Sequence, residues 1–415
     1  METQEEHRRA RMQQRLSGGA CRSVSEFTKG EKLGEGTYGS VYMATDKCSG
    51  RKVALKRVKL SGSGFEREGM PQTSMREIAL LRRLRHPNIV ALLEVVVGRR
   101  AESVFLAFEC CSFDLARLID TTTKSFSPGE IKSMMTELLE AVCYIHANLI
   151  MHRDLKMSNL LLTADGALKL CDFGLARRYS LHSRGMHANE AFTPNVVTLW
   201  YRAPELLFGA TCYGPPVDMW SVGCIFGELW LHRPLLPAAT ESAQLEAICT
   251  LIGTPSLRIW PDAEELPMWG RLNLPHQPYN DLHDAFRHVR PGQTTLDLMN
   301  AMLTYDPSQR CTASRALQHP YMTSTTIRSQ RPQPHRMAGT TSQAASGQRP
   351  HRGAKRCANA EEHVPYDSGQ PERSMRPMTN KSLDADGPRH DLGGSVDGVR
   401  IPSPCDISAH SRRWC

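Results

Sequence analysis

The chain has no apolar run long enough to cross a bilayer, so a membrane-spanning protein is not expected. Its first residues, METQEEHRRARMQQR, are charged and hold no apolar stretch, so no secretory signal is expected there. The 13 cysteines include no CxxC pair, which gives no support to a zinc or dithiol redox centre. Free thiols in a reducing cytosol or nucleus are the plain reading. A concentrated basic stripe is also missing. The net charge is +8, but residues from 322 onward hold 14 Lys/Arg against 9 Asp/Glu, and the remaining excess is thinly spread. No direct nucleic-acid contact is therefore expected. There is no internal repeat.

What is present is an ordinary globular composition, 40% hydrophobic and 23% charged over 415 residues. That length suffices for two compact lobes with tails. Residues 1–26 read as a mobile basic extension, and 27–321 as the folded domain. Residues 322–415 are rich in Ser, Gly, Pro, Arg and Gln with few large apolar side chains, and are expected to be disordered. The RPHRGAKR run at 349–356 reads as a solvated basic patch or a nuclear address, and the expected location is nucleus and/or cytoplasm.

The chemistry concentrates in His152-Arg153-Asp154-Leu155-Lys156-Met157-Ser158-Asn159, followed by Asp172-Phe173-Gly174. A carboxylate, a lysine, an amide and a second carboxylate in one short segment suit phosphoryl transfer. Asp154 would orient a substrate hydroxyl or accept its proton, and Lys156 would sit near the transferring phosphate. Asn159 and Asp172 would hold magnesium. Either tripeptide could arise by chance. Both together, with Leu160–Leu162 and Leu168–Leu170 reading as a hairpin between them, make chance a poor account.

Upstream, KLGEGTYGSV at 32–41 alternates β-formers with glycines. Gly34, Gly36 and Gly39 would let a hairpin approach phosphates without Cβ collisions. A lone GxGxxG also fits a dinucleotide turn, but that turn wants a helix next, and Ser40-Val41-Tyr42 continues as strand. Lys56 in Val-Ala-Leu-Lys then falls on a third strand, aimed at the α- and β-phosphates. After a glycine-rich loop at 60–70, PQTSMREIALLRRLRH reads as a helix, with Ile78, Leu81 and Leu84 at helical spacing. Glu77 on it is the best partner for Lys56, against the plainer alternative of a solvated charge. Glu109-Cys110-Cys111 would join the lobes and offer backbone groups to adenine, with Phe108 at the back of the pocket.

Below this point the pattern is helical: Leu115 to Ile119, Ile131 to His146 capped by Ser127-Pro128, and Asp218 to Trp230. Further helices are expected near 282–303 and 312–318. Asp218 would brace the catalytic-loop backbone, and Arg310 would pair with Glu205. A phosphate on Thr193 would order its polar loop if Arg76, Arg153 and Arg177 converge on it. Cys171 is read either as a small buried residue or as a thiol facing the nucleotide and open to covalent ligands.

These motifs, in this order, resemble a eukaryotic protein kinase over about residues 27–321, with a two-lobed α+β fold, a β-rich first lobe and a helical second. Gly34-Glu35-Gly36-Thr37-Tyr38-Gly39, the PQTSMRE helix and VVTLWYRAPE at 196–205 are similar to the cyclin-dependent kinase family, PISSLRE type. The resemblance implies a serine/threonine kinase directed to Ser/Thr-Pro sites on proteins, using ATP and Mg2+, in cell-cycle or transcription control. It implies a nucleotide pocket of Gly34, Glu35, Gly36, Thr37, Gly39, Val41, Ala54, Lys56, Phe108, Glu109, Cys111 and Leu161. A cyclin would dock on residues 71–77, Thr193 would be the activating phosphosite, and Thr37 and Tyr38 inhibitory ones. Arg202 would shape the substrate groove. The helix reads PQTSMRE where that type has PISSLRE, and the loop from Asp172 to Thr193 is longer than is usual there. A mitogen-activated-type kinase would place Thr-x-Tyr in that loop, but Thr193-Pro194-Asn195 lacks it. A dead scaffold would have no need of Lys56, Asp154, Asn159 and Asp172 together.

Overall fold

The structure, a computed structural model, describes residues 21–36, 39–58, 72–98, 103–180 and 197–333. A six-stranded sheet forms the first lobe, in the order β1-β5-β6-β4-β3-β2. Its strands are β1 (Arg22–Ser23), β2 (Phe27–Gly36), β3 (Gly39–Asp46), β4 (Lys52–Arg57), β5 (Leu92–Val97) and β6 (Val104–Glu109). All neighbours are antiparallel except β1 on β5. Helix α1 (Gln72–Leu81) lies between β4 and β5 in the chain.

Alternation along the strands sorts the sheet into two faces. Val53 and Leu55 pack with Phe27, Ala44, Val96 and Ala107 in a small core of their own. The opposite face carries Ala54 and Lys56, with Val41 paired to Lys56 and Phe108 paired to Ala54. On this second face Leu106 joins Leu80, Leu81 and Leu84 in the main core.

The second lobe begins with β7 (Phe113–Asp114) and α2 (Leu115–Thr121), whose N-terminus Asp114 caps. Helix α3 (Pro128–Ala147) starts in a capping box between Ser127 and Glu130, with Pro128 in its first turn. Short strands follow: β8 (Ile150–Met151), β9 (Leu160–Leu162), β10 (Leu168–Leu170) and β11 (Arg177–Arg178). The β9–β10 hairpin forms as its apolar triplets suggested, in register Leu162–Leu168 to Leu160–Leu170. The remaining helices are α4 (Pro204–Leu207), α5 (Pro216–Leu231), α6 (Glu241–Ile252), α7 (Leu282–Ala285), α8 (Gln293–Met302), α9 (Ala313–Leu317) and α10 (Pro320–Thr323). The helices expected over 282–303 are α7 and α8, separated by the non-helical residues 286–292. Helix α6 has no counterpart in the sequence reading.

Two buried carboxylates with their partners tie this lobe together. Arg310 donates to both carboxylate oxygens of Glu205 (2.7 and 2.9 Å) and to the carbonyls of Thr304, Tyr305 and Pro216. Asp218 accepts from the backbone N–H groups of His152 (2.9 Å) and Arg153 (2.8 Å) and lies 2.8 Å from His146 Nε2.

Described residues also flank the expected domain, 27–321, on both sides. Before residue 27, β1 pairs with β5 and Arg22 reaches Asp46, Glu94 and Glu26. Beyond residue 321, residues 324–331 bond back onto α3. The rest of the two expected tails lies outside the described residues.

Candidate active site

The β2–β3 hairpin closes by pairing Gly34 with Val41, Glu35 with Ser40 and Gly36 with Gly39. A Cβ at Gly34 would meet no protein atom within 4 Å, so packing does not demand glycine there. The open space there is where another molecule would approach the backbone closely. Thr37, Tyr38 and Thr193 lie outside the described residues.

Beneath the hairpin, Lys56 Nζ stands 2.9 Å from Glu77 Oε1 and 2.9 Å from Asp172 Oδ1. One strand, one helix and one loop thus converge on one ammonium. Burial disfavours the Lys56 charge, but the two carboxylates outweigh it and hold the pKa well above the ordinary lysine value. Burial also pushes Asp172 up, and Lys56 reverses this, so its carboxyl stays below the usual range. At Glu77 burial prevails over the Lys56 attraction and the pKa is raised. The ammonium is fixed at the depth where a nucleotide phosphate would lie under the glycines.

Across the cleft, Asp154 is held from four directions. Its Oδ1 accepts from the Thr198 hydroxyl (3.1 Å) and Thr198 N–H (3.3 Å). Its Oδ2 meets Lys156 Nζ (2.7 Å) and Asn159 Nδ2 (3.2 Å). Lys156 also donates to Thr198 Oγ1 at 3.1 Å. Asp154 is thereby pinned as an oriented acceptor for a hydroxyl. Asn159 also gives Nδ2 to the Asp154 carbonyl (2.7 Å), which leaves its amide oxygen for a cation. That oxygen and the ionised Asp172 are hard donors, and they fit a hard divalent metal.

Two residues here have left-handed backbone, Arg153 (φ 65°) and Asp172 (φ 62°). Such strain persists only where neighbours over-determine it. The Arg153 guanidinium is buried and donates to the Leu175 carbonyl (2.9 Å) and the Tyr213 hydroxyl (2.8 Å). His152 lies edge-on to Phe173, with ring centroids 4.8 Å apart, and its Nε2 is 3.1 Å from the Cys171 carbonyl. Arg177 donates to the Ala176 carbonyl (3.0 Å), and Arg76 is partly exposed on α1.

The rim is set by Val41, Ala54 and Phe108 on the sheet face and by Leu161 below, all partly exposed. Leu161 points away from its buried neighbours Leu160 and Leu162. Glu109 turns its carboxylate to Lys169 Nζ (2.9 and 3.0 Å) and to Ala91 N–H (2.8 Å), and its own N–H donates to the Ala91 carbonyl (3.0 Å), so neither its side chain nor its N–H is turned to a base. Burial and then Glu109 push the Cys111 thiol up to about 12. Cys171 is partly exposed at the surface, but burial of its sulfur holds the thiol well above its ordinary value. A raised thiol is a poorer nucleophile than an ordinary one, which favours the small-buried-residue reading of Cys171 over the covalent one. Thr198, Tyr213 and the Glu109–Lys169 pair were given no role in the sequence reading. Thr198 stands in the quoted VVTLWYRAPE segment, but its bond to Asp154 spans 44 residues.

The protein kinase domain family matches residues 27–322, and the chain belongs to that family. It is similar to the cyclin-dependent kinase 10 of Homo sapiens, 48% identical over 303 residues, covering 73% of this chain and 81% of that protein. The probable cyclin-dependent kinase 10 of Dictyostelium discoideum is 48% identical over 301 residues, covering 72% and 80%. Cyclin-dependent kinase 11B of Homo sapiens is 46% identical over 307 residues, covering 74% of this chain and 37% of that one. The chain is a serine/threonine protein kinase of the cyclin-dependent kinase 10 and 11 type, and it uses ATP with a divalent metal.

Proposed function

We propose that this kinase transfers the γ-phosphoryl group of ATP to Ser or Thr residues followed by proline. The observation that carries this is the backbone of Val197. It is left-handed (φ 71°), and its carbonyl accepts from Arg202 Nε (3.3 Å) and Nη2 (3.1 Å). Arg202 is held in turn by Glu241. A carbonyl already filled by a guanidinium has no lone pair to offer a substrate N–H. Any residue but proline would bury an unpaired donor there, at about 1–3 kcal/mol. Proline has no N–H and loses nothing.

The substrate hydroxyl would lie on Asp154, which orients it and takes its proton as the oxygen–phosphorus bond forms. Lys156, bonded to Asp154, would neutralise charge gathering on the transferred group, and Lys56 would hold the phosphates. Asn159 and Asp172 would hold the metal, which we assign as Mg2+. It would supply electrostatic stabilisation of the phosphate oxygens when bound.

A cyclin docked on residues 71–77 is the proposed activator, as the names of the relatives suggest. Helix α1 supports this: Glu77 is 5% exposed beneath it while Met75 is 55% exposed on its outer side. Thr193 would be the activating phosphosite, with Arg76, Arg153 and Arg177 as its pocket, and Thr37 and Tyr38 inhibitory ones. The setting would be cell-cycle or transcription control, in nucleus and/or cytoplasm.

The test is radiolabelled phosphate incorporation into paired Ser-Pro and Ser-Ala peptides, with and without candidate cyclins, beside Asp154→Asn. Preference for Ser-Pro that rises with one cyclin and vanishes in the variant is the expected result. Equal use of Ser-Ala would overturn the proline reading, and full activity of the isolated chain would remove the cyclin.

A further inference from the structure

The protein kinase family match ends at residue 322, but the chain continues along the second lobe in an ordered path to Gln333. This segment has few apolar side chains, and polar grips hold it. Lys132 Nζ, buried on α3, donates to the carbonyls of Ser324 (2.5 Å) and Ile327 (3.0 Å). Gln330 N–H donates to the Gly129 carbonyl (3.1 Å). Arg331 reaches both Glu137 (3.1 Å) and Asp165 (2.7 Å). Two glycines make room for it. A Cβ on Gly129 would lie 2.5 Å from the Arg328 carbonyl, and one on Gly166 would run into the Pro332 carbonyl.

The far side of these grips leads to the nucleotide site. Glu137 Oε2 accepts from Leu168 N–H (2.6 Å), the first residue of β10. Asp165 sits in the β9–β10 turn. The next residue of β10, Lys169, bonds both oxygens of Glu109 in the connector between the lobes. One residue past β10, Cys171 N–H donates to the Asn159 carbonyl (3.0 Å), and Asp172 follows. Strand β10 therefore carries the connector contact along its length and Asp172 just beyond its end. Both Glu137 and the turn that steer it are held by Arg331.

We propose that residues 324–332 are a positioning strap for nucleotide binding, acting through Arg331, Glu137 and the β9–β10 hairpin. The strap touches no substrate. It fixes the strand that sets Glu109 and Asp172.

Two full-length variants release it by different routes. Gly129→Ala suits a helix better than glycine does, but it pushes out the Arg328 carbonyl. Arg331→Glu reverses the charge at a half-exposed side chain, so folding is not at stake. The probe is fluorescent N-methylanthraniloyl-ADP with magnesium, which reports binding without a cyclin or a peptide. Both variants should weaken its Kd by about three- to tenfold, with Arg331→Lys near the parent value and the melting temperature of nucleotide-free protein unchanged. A Kd within twofold of the parent in both variants overturns the proposal. So does weakening that comes only with a fallen melting temperature, because a merely structural strap gives that result.

Discussion

Lys56 shares its ammonium equally between Glu77 and Asp172, at 2.9 Å each. Glu77 is almost wholly buried, and its raised pKa shows that the pairing only partly offsets the cost of burying its charge. Lys56→Met should therefore strip two carboxylates of their counter-ion and cost about 3–5 kcal/mol in urea denaturation. Phosphoryl transfer should fall by roughly 10²–10³ in kcat. The two effects separate in a double variant. Glu77→Gln added to Lys56→Met should restore part of the stability, because it removes one of the two stranded charges, without restoring activity. Further destabilisation in the double variant would show that Glu77 is held by something other than Lys56.

The thiols give a prediction with the opposite sign from an open cleft. Cys111 is pushed up to about 12, and Cys171 well above its ordinary value, by burial before any charge. At neutral pH both are thiols, and thiols do not attack alkylating agents. Iodoacetamide should modify the exposed Cys21, Cys48 and Cys212 first and leave Cys111 and Cys171 unmarked by mass spectrometry. Modification of Cys171 as fast as Cys212 would show that its sulfur is solvated.

What the sequence made legible was mostly local. Ser127-Pro128 announces the start of α3, and Ser127 forms the capping box found there with Glu130. Lys56 and Glu77 were paired because a helix glutamate follows a strand lysine as phosphoryl-transfer sites require, and Asp218 and Arg310 took their expected partners. The losses were long-range and polar. Strand β1 is two residues long and has no period to detect, and the residues that fix Arg22 are up to 72 positions away. The strap at 324–332 reads as disorder because it buries little apolar surface, and backbone carbonyls meeting Lys132 leave no trace in side-chain pattern. Helix α6 buries Gln244 among its core positions, which blurs its apolar stripe.

Arg22 also makes acid stability a test of where the first lobe begins. It bonds Asp46 at 2.7 Å and lies over the Phe27 ring. Burial raises the Asp46 pKa, but hydrogen bonds from Arg22, Ser49 and Cys48 N–H reverse this and leave it at about 2, against 3.8 ordinarily. A carboxylate depressed in the folded state stabilises above its unfolded pKa, and that stability is lost as pH falls through the folded one. The Asp46 contribution, roughly 1–2 kcal/mol after allowance for partial exposure, should be complete above about pH 4 and vanish near pH 2. Arg22→Met should lower the urea midpoint at pH 6 and converge on the parent as pH falls toward 2. A constant offset across that range would assign the loss to packing on Phe27 instead.

Thr198 is the sharpest test of how Asp154 is aimed. Its hydroxyl gives a proton to Asp154 Oδ1 and takes one from Lys156 Nζ, both at 3.1 Å, so one oxygen sets the spacing of the two groups nearest the transferred phosphoryl. Thr198→Val keeps the shape and removes both bonds. The Thr198 N–H at 3.3 Å and Asn159 at 3.2 Å would still hold Asp154, but less narrowly. Because alignment errors of an ångström cost about 10²-fold, kcat should fall by roughly ten- to a hundredfold. Nucleotide Kd should not change, since Thr198 contacts neither Lys56 nor Asp172. Thr198→Ser, which keeps the hydroxyl, should recover most of the rate. A valine variant with the parental kcat would mean that the backbone and Asn159 alone aim Asp154.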